Sequence, residues 1–306
     1  MRRTLVGAFA LLALLSCGQQ AKSAAAKATK EHTGLFPIVV GGKCGFVDKA
    51  GRLVIHPLFD DAKPFSEGLA WVRTHGRWGC IDRSGGFVIA GQYDYAADFS
   101  EGLAAVEIGG RNGYVDRTGS LVINPRFDTA GLFSDGLAGV KVNGSVWGYI
   151  DRTGRFVIQP QFDFAGRYCE GLAAVSVGGR WGYIDKTGTF AIEPQFDFAG
   201  EFSDGLAPVR IGELVTGKWG YIDAAGRLVI QPQFDLAGEF SEGSAPVRTG
   251  GWVTGKFGFI DRTGRMVIEP QFTFALPFSE GVTRVVTAAG IGLIDRTGRY
   301  ILEPTR

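Results

Sequence analysis

The sequence predicts an all-β chain of tandem antiparallel three-stranded meanders, seven to eight units long. A β-propeller is the favoured architecture, and an open β-solenoid or superhelix is the alternative. Three observations carry this. A Trp-Gly-Tyr-like tripeptide recurs with its glycine at Gly45, Gly79, Gly113, Gly148, Gly182, Gly220, Gly258 and Gly292, at intervals of 34 to 38 residues, and a fixed period of this length is the mark of a repeat architecture. Within each unit apolar residues alternate with period two, as in strands. The 47 glycines in 306 residues, about twice the usual share, mark a turn-rich chain.

The unit Leu172 to Gly205, LAAVSVGGRWGYIDKTGTFAIEPQFDFAGEFSDG, gives each element in order. Leu172 to Val177 reads as a first strand, with Ala173, Val175 and Val177 on one face. Gly178-Gly179 signals a tight hairpin. Trp181 to Asp185 is the second strand. Asp185-Lys-Thr-Gly188 is a turn in which Asp caps the backbone and Gly takes a positive φ. Phe190 to Ile192 is the third strand, ended by Pro194, which has no ladder N–H. The remaining QFDFAGEFSDG passes to the next unit, with room for a short fourth strand. A meander of this size cannot cover both faces alone, so neighbours must stack. Radial repetition would protect the strand edges. On the other side, 34 residues is short for a blade, and the chain starts and stops in one repeat phase, which keeps the open array in play.

The N-terminus reads as an address. Met1-Arg2-Arg3 precedes an apolar run from Leu5 to Leu15, the layout of a secretory signal and too short for a span of about 20 residues. Leu14-Leu15-Ser16-Cys17 resembles the lipobox of bacterial lipoproteins, which implies acylation of Cys17 and a tether to a membrane; an ordinary signal cut near Ala24-Ala25-Ala26 is the alternative. The layout is therefore 1-17 lipoprotein signal peptide, 18-34 flexible linker and 35-306 repeat domain, exported and lipid-anchored at a cell-envelope membrane. Removal of Arg2 and Arg3 leaves 30 basic against 31 acidic residues, a balance with no excess to draw nucleic acid.

Lys218-Trp219-Gly220-Tyr221-Ile222-Asp223, Arg180-Trp181-Gly182-Tyr183-Ile184-Asp185 and the recurring Pro-Gln-Phe-Asp and Phe-Ser-Glu-Gly strings resemble bacterial WG (KWG) repeats from Leu35 to Pro304. The resemblance implies a binding or scaffolding module and no single reaction. Cys44, Asn112, Phe257 and Ile291 replace the tryptophan.

The chemistry-bearing residues mostly recur, and a catalytic group is needed once. Asp48, Asp82, Asp116, Asp151, Asp185, Asp223, Asp261 and Asp295 read as turn caps, and the acid of Phe-Ser-Glu-Gly reads the same way. Gly212 to Lys218 and Gly250 to Lys256 match the start of a phosphate-binding loop, but Trp219 and Phe257 stand where that motif needs Ser or Thr opening a helix. The three His and four Cys form no metal pattern, and no cofactor is expected. A Cys44 to Cys80 disulfide is an option, with burial as small apolar residues favoured. The repeated Trp are expected to pack between units. Ligand-binding candidates are the variable face of the first strands, Trp71, Arg73, Lys141, Arg210, Arg248 and Arg284, with Glu107 and Ser176 in the same row, and the tips of two four-residue insertions, Leu214 and Trp252 with Val215 and Val253. The expected function is non-enzymatic binding of a protein or cell-envelope polymer. The alternative, a glycan hydrolase, requires a carboxylate pair drawn from acids outside the repeat, such as Asp98, Glu107 or Glu213.

Overall fold

The computed structural model describes residues 34–305 other than Lys49 and Trp252. The signal peptide, Cys17 and nearly all of the linker lie outside the described residues. Every regular element described is a β-strand. The chain divides into two compact units, one holding the repeats up to Arg167 and one those from Tyr168 onward.

Eight small antiparallel sheets follow one another along the chain, each in simple up-and-down order. The first contains β1 (Phe36–Val40), β2 (Lys43–Val47) and β3 (Leu53–Phe59). The second contains β4 (Asp61–Ala62), β5 (Ala70–Thr74), β6 (Arg77–Ile81) and β7 (Phe87–Tyr93). The remaining six repeat the four-stranded plan. The fold is thus of the β-propeller class, the favoured expectation, with one blade per sheet. The three-strand expectation needs correction: in seven sheets a short strand precedes the meander, because the Phe-Asp-x-Ala segment pairs with the unit that follows it. Asp61 and Ala62, for example, pair with Arg73 and Val72.

The third strand is also longer than expected, Phe190–Phe196 rather than ending at Ile192. Its register explains how Pro194 is accommodated. Ile184 faces Phe190, Tyr183 faces Ile192 and Trp181 faces Phe196, so the outer strand carries extra residues against its partner at two places. Pro194 sits in the larger bulge, where no ladder donor is required. Gly178 and Gly179 have φ of +58° and +77°, the left-handed pair of a type I′ hairpin.

The cores lie between consecutive sheets. One cluster joins Trp71, Trp78, Cys80, Ile89 and Tyr93 of the second sheet to Ala96, Phe99, Ala104, Val106 and Val115 around the third. Another joins Tyr114, Ile123 and Phe127 to Phe133, Val140 and Ile150. Stacking therefore supplies the burial that a lone meander lacks, as the repeat length predicts. It also buries both faces of the first strands: Ala70, Trp71 and Val72 are all below 2% exposed.

Candidate functional site

Each residue of the Lys/Arg-Trp-Gly-Tyr-Ile-Asp string has a mechanical task, and most tasks reach into the next repeat. The leading base pairs with the Asp of the following Phe-Asp: Arg180 with Asp197, Lys218 with Asp235 at 2.5 Å, Lys43 with Asp60 at 2.6 Å. The second oxygen of each such Asp accepts a hairpin N–H of its own sheet, Gly212 N to Asp197 at 2.7 Å and Gly251 N to Asp235 at 2.7 Å. Trp181 packs on Phe198 with ring centroids 4.8 Å apart; Trp78 meets Tyr95 and Phe257 meets Phe274 in the same way. The expected packing of Trp between units is present. Where Trp is lost in the third unit, its partner is lost too: Asn112 donates to the Asp128 carbonyl at 3.2 Å beside Thr129, which stands where Tyr95 and Phe198 do.

The glycine is required by the bulge. A Cβ on Gly182 would lie 2.5 Å from the Ile192 carbonyl oxygen and 2.7 Å from Pro194 N. The same backbone crowding occurs at Gly45 and Gly148. Buried Tyr183 donates its hydroxyl to the Gly200 carbonyl at 2.8 Å, as Tyr221 does to Gly238 at 2.8 Å, a bond worth about 1 kcal/mol. Asp185 Oδ1 accepts from Thr187 N, Thr187 Oγ1 and Thr189 N at 2.9, 2.6 and 3.1 Å, and these bonds hold its carboxyl below the ordinary range. The turn-capping reading holds for all eight aspartates.

The Phe-Ser-Glu-Gly turns form a second series of ties. Glu67, Glu101, Glu170, Asp204 and Glu242 adopt φ of +51° to +55°, a left-handed conformation that costs a side chain about 1–2 kcal/mol. Each carboxylate accepts an N–H from the next such turn: Gly102 N to Glu67 at 3.0 Å, Gly205 N to Glu170 at 3.0 Å, Gly281 N to Glu242 at 3.0 Å. Ser66 Oγ donates to the Phe99 carbonyl at 2.8 Å and Ser241 Oγ to Phe278 at 2.7 Å. These bonds offset the backbone strain and link consecutive repeats.

The variable-face candidates do not form one lining. Trp71 is 1% exposed and stacks on Phe99 at 5.4 Å, so it is core; Ser176 is buried as well. Arg284 faces Leu293, the register of Pro208 and Tyr221, whereas Arg210 faces Trp219 and Arg248 faces Phe257. Arg284 is therefore two positions out of the expected row, and Val286 occupies that row. Arg73, half-buried, reaches Asp61 at 3.5 Å and lies 5.7 Å from the Trp78 ring. Lys141 is half-buried between Thr129 and Trp147. Arg210 is 9% exposed, 6.0 Å from the Phe198 ring, and donates to the Asp197 carbonyl at 3.3 Å; burial lowers its pKa. Arg248 sits 5.9 Å from the Phe257 ring, under the insertion that ends at Gly255. Lys63 was not singled out by sequence reasoning. Its Nζ donates to the Ala96 carbonyl at 2.6 Å and lies 4.3 Å from the Tyr95 ring.

The two insertions are extended hairpin loops, closed by Gly217 N to Glu213 O at 2.7 Å and Gly255 N to Gly251 O at 3.1 Å. Strands Lys218–Ile222 and Lys256–Asp261 follow them directly, so neither opens a helix as a phosphate-binding loop does. Leu214, Val215 and Val253 are 46%, 64% and 91% exposed; Trp252 lies outside the described residues. Cys44 and Cys80 are free, buried thiols, and burial pushes Cys80 up to about 12. Two surface clefts of about 490 and 350 Å³ are lined by Arg126, Phe127, Val142 and Phe156, and by Thr74, His75, Arg77 and Phe87, with no carboxylate in either lining. Among the described residues no His, Cys, Asp and Glu cluster could hold a metal, and no helix could cross a membrane. Asp98 and Glu107 lie in the first compact unit, Glu213 in the second.

Solved structures share this fold at low identity. A eukaryotic initiation factor matches 89% of this chain and 85% of its own, with a TM-score of 0.64 and 12% identity. BamB from Moraxella catarrhalis matches 80% of this chain and 88% of its own, with a TM-score of 0.51 and 14% identity. Hsv2 from Kluyvelomyces marxianus matches 78% and 94%, with a TM-score of 0.50 and 10% identity. No curated protein matches the sequence. The WG containing repeat family matches at residues 45–78, 78–111, 113–145, 147–181, 181–214, 219–251 and 257–287, more than half of the chain. The chain, whose repeats engage their aspartate, their glycine and, where present, their tryptophan as just described, belongs to the WG containing repeat family.

Proposed function

We propose that the chain is a non-enzymatic scaffold, exported and lipid-anchored through Cys17 at a bacterial envelope membrane, that binds a protein or an envelope polymer. One observation carries the reading: the recurring polar side chains are engaged in ties within and between repeats, leaving the departures from the repeat to contact a partner. Among the departures that present exposed apolar surface are the twin hairpin extensions, which carry Leu214, Val215 and Val253, the second extension lying against Arg248. Loops on a rigid scaffold are common binding positions. The absence of carboxylates from both described clefts gives no support to the hydrolase alternative, which needs two acids flanking a glycosidic bond.

The test is retention of partners from envelope extract by the purified mature chain. The reading expects a specific protein or polymer whose retention falls with Leu214→Asp, Val215→Asp and Val253→Asp together. Turnover of a glycan that one carboxylate substitution abolishes without unfolding the chain would sink it.

A further inference from the structure

The first sheet lacks, among the described residues, the short strand that the other seven possess, and its β1 is correspondingly bare. Phe36, Val39 and Val40 are 50%, 70% and 55% exposed, whereas of their counterparts in β5 Ala70 is fully buried and Arg73 and Thr74 are half-buried. An exposed apolar edge strand is a template for pairing with another chain.

β1 is nonetheless competent to accept a short strand. Its Pro37 faces Phe46, Ile38 faces Gly45 and Val39 faces Cys44, which puts Pro37 at the register of Pro208 and Pro246. Both of those prolines sit in strands that do pair: Gly200 N and Gly238 N donate to their carbonyls at 2.8 Å. The next acceptor in each sheet is two residues on, Asp197 N to Arg210 O at 3.0 Å and Asp235 N to Arg248 O at 2.9 Å. By the alternation of an antiparallel ladder, the Pro37 and Val39 carbonyls point away from β2, toward the place an incoming segment would occupy.

The side chains define that segment. Across the array the residue opposite the Val39 position is most often large and apolar and followed by Ala: Tyr95, Phe198, Leu236 and Phe274 stand opposite Glu107, Arg210, Arg248 and Val286, while Asp61 and Thr129 stand opposite Arg73 and Lys141. Val39 shares its apolar character with Val286, which faces Phe274, so the seat calls for a large apolar residue followed by Ala, the Phe274-Ala275 pattern. At this register the chain itself offers Lys27-Ala28, counting from Gly34-Leu35 against Gly68-Leu69, and a lysine is a poor match for Val39.

We propose that β1 is a strand-addition site for an extended segment of a partner protein carrying a large apolar residue followed by Ala. Main-chain hydrogen bonds would supply affinity and the alternate side chains specificity. This rests on the scaffold reading and names a class of partner for it, at a place distinct from the twin loops.

The probe is a fluorescent peptide copying residues 269–278, EPQFTFALPF, titrated into the full chain by anisotropy. Saturable binding is expected, weakened tenfold or more by Val39→Asp and by lysine at the Phe274 position of the peptide, and unchanged by Val88→Asp, an exposed outer-strand control at 41% exposure. Absence of saturable binding, or equal effects of Val39→Asp and Val88→Asp, overturns the proposal. So does a tenfold gain in affinity on deleting residues 18–33, which would assign the edge to the chain's own segment, or concentration-dependent self-association lost in Val39→Asp, which would assign it to a second copy. Failure of the peptide leaves the loop-dependent pull-down intact, so the two readings fail separately.

Discussion

Replacing Gly182 with Ala should damage the protein more than its size suggests. The new Cβ would stand 2.5 Å from the Ile192 oxygen, 2.7 Å from Pro194 N and 2.8 Å from the Glu193 carbonyl carbon, so the nearest contact lies roughly 0.9 Å inside an ordinary 3.4 Å approach. All three atoms are backbone in a bulge held by Tyr183 opposite Ile192 and Trp181 opposite Phe196, so no rotamer change relieves the overlap. Overpacking typically costs about 1–3 kcal/mol, and immobility places this site near the top of that range. Loss of glycine's unfolded-state entropy returns about 0.4–1 kcal/mol, leaving about 2 kcal/mol of destabilisation. The comparison is Gly178→Ala, where φ is +58° and nothing lies within 4 Å. There only the left-handed penalty of about 1–2 kcal/mol acts, offset by the same entropy, for a net of about 0.5–1 kcal/mol. Urea unfolding followed by tryptophan fluorescence reads both. A Gly182→Ala protein as stable as Gly178→Ala would refute the argument that the bulge backbone leaves no room for a Cβ.

Further expectations concern the caps, the hydroxyl ties and the anchor. The capping aspartates, Asp185 and its seven counterparts, have carboxyls lowered by hydrogen bonds to the turn. A folded pKa below the unfolded value of about 3.9 gives stability that is present above the unfolded value and lost as pH falls through the folded one. The urea midpoint should therefore hold between pH 7 and 5 and fall below about pH 4; a midpoint flat down to pH 3 would contradict the capping role. Tyr183→Phe removes the hydroxyl that the half-buried Gly200 carbonyl accepts from and should cost about 1 kcal/mol in the same unfolding assay, whereas the equivalent change at exposed Tyr95 should cost under about 0.5 kcal/mol. Cys17→Ser should move the protein from the membrane to the soluble fraction of expressing cells; unchanged membrane association would remove the lipid anchor from the functional proposal.

Much of the architecture was legible because the repeat repeats its own constraints. Glycine at eight equivalent positions, aspartate before each turn and the Gly-Gly hairpin each announce a backbone requirement. The short strand was harder to read, since two residues such as Phe198-Ala199 carry no periodicity and pair with the unit after them. Pro194 misled for a related reason: proline excludes a ladder donor, but a bulge needs none. The first-strand candidates fell short because alternation identifies two faces without saying that neighbours cover both, so Trp71 and Arg210 are buried. A readable signal was present at the tyrosine tie. Gly131, Gly166, Gly200 and Gly238 accept a hydroxyl from Tyr114, Tyr149, Tyr183 and Tyr221. Where Phe46, Cys80 and Phe259 replace Tyr, the glycine gives way to Lys63, Ala97 and Leu276. Such paired changes mark residues that touch across repeats.

The central claim is that neighbouring repeats stabilise each other through side chains the repeat conserves within itself. The most direct test is a double-mutant cycle on Trp181 and Phe198, whose rings meet at 4.8 Å across two sheets. Equilibrium unfolding of Trp181→Ala, Phe198→Ala and the double variant should give a coupling energy of about 0.5–1.5 kcal/mol. Additivity within about 0.3 kcal/mol would mean that the two repeats stand independently.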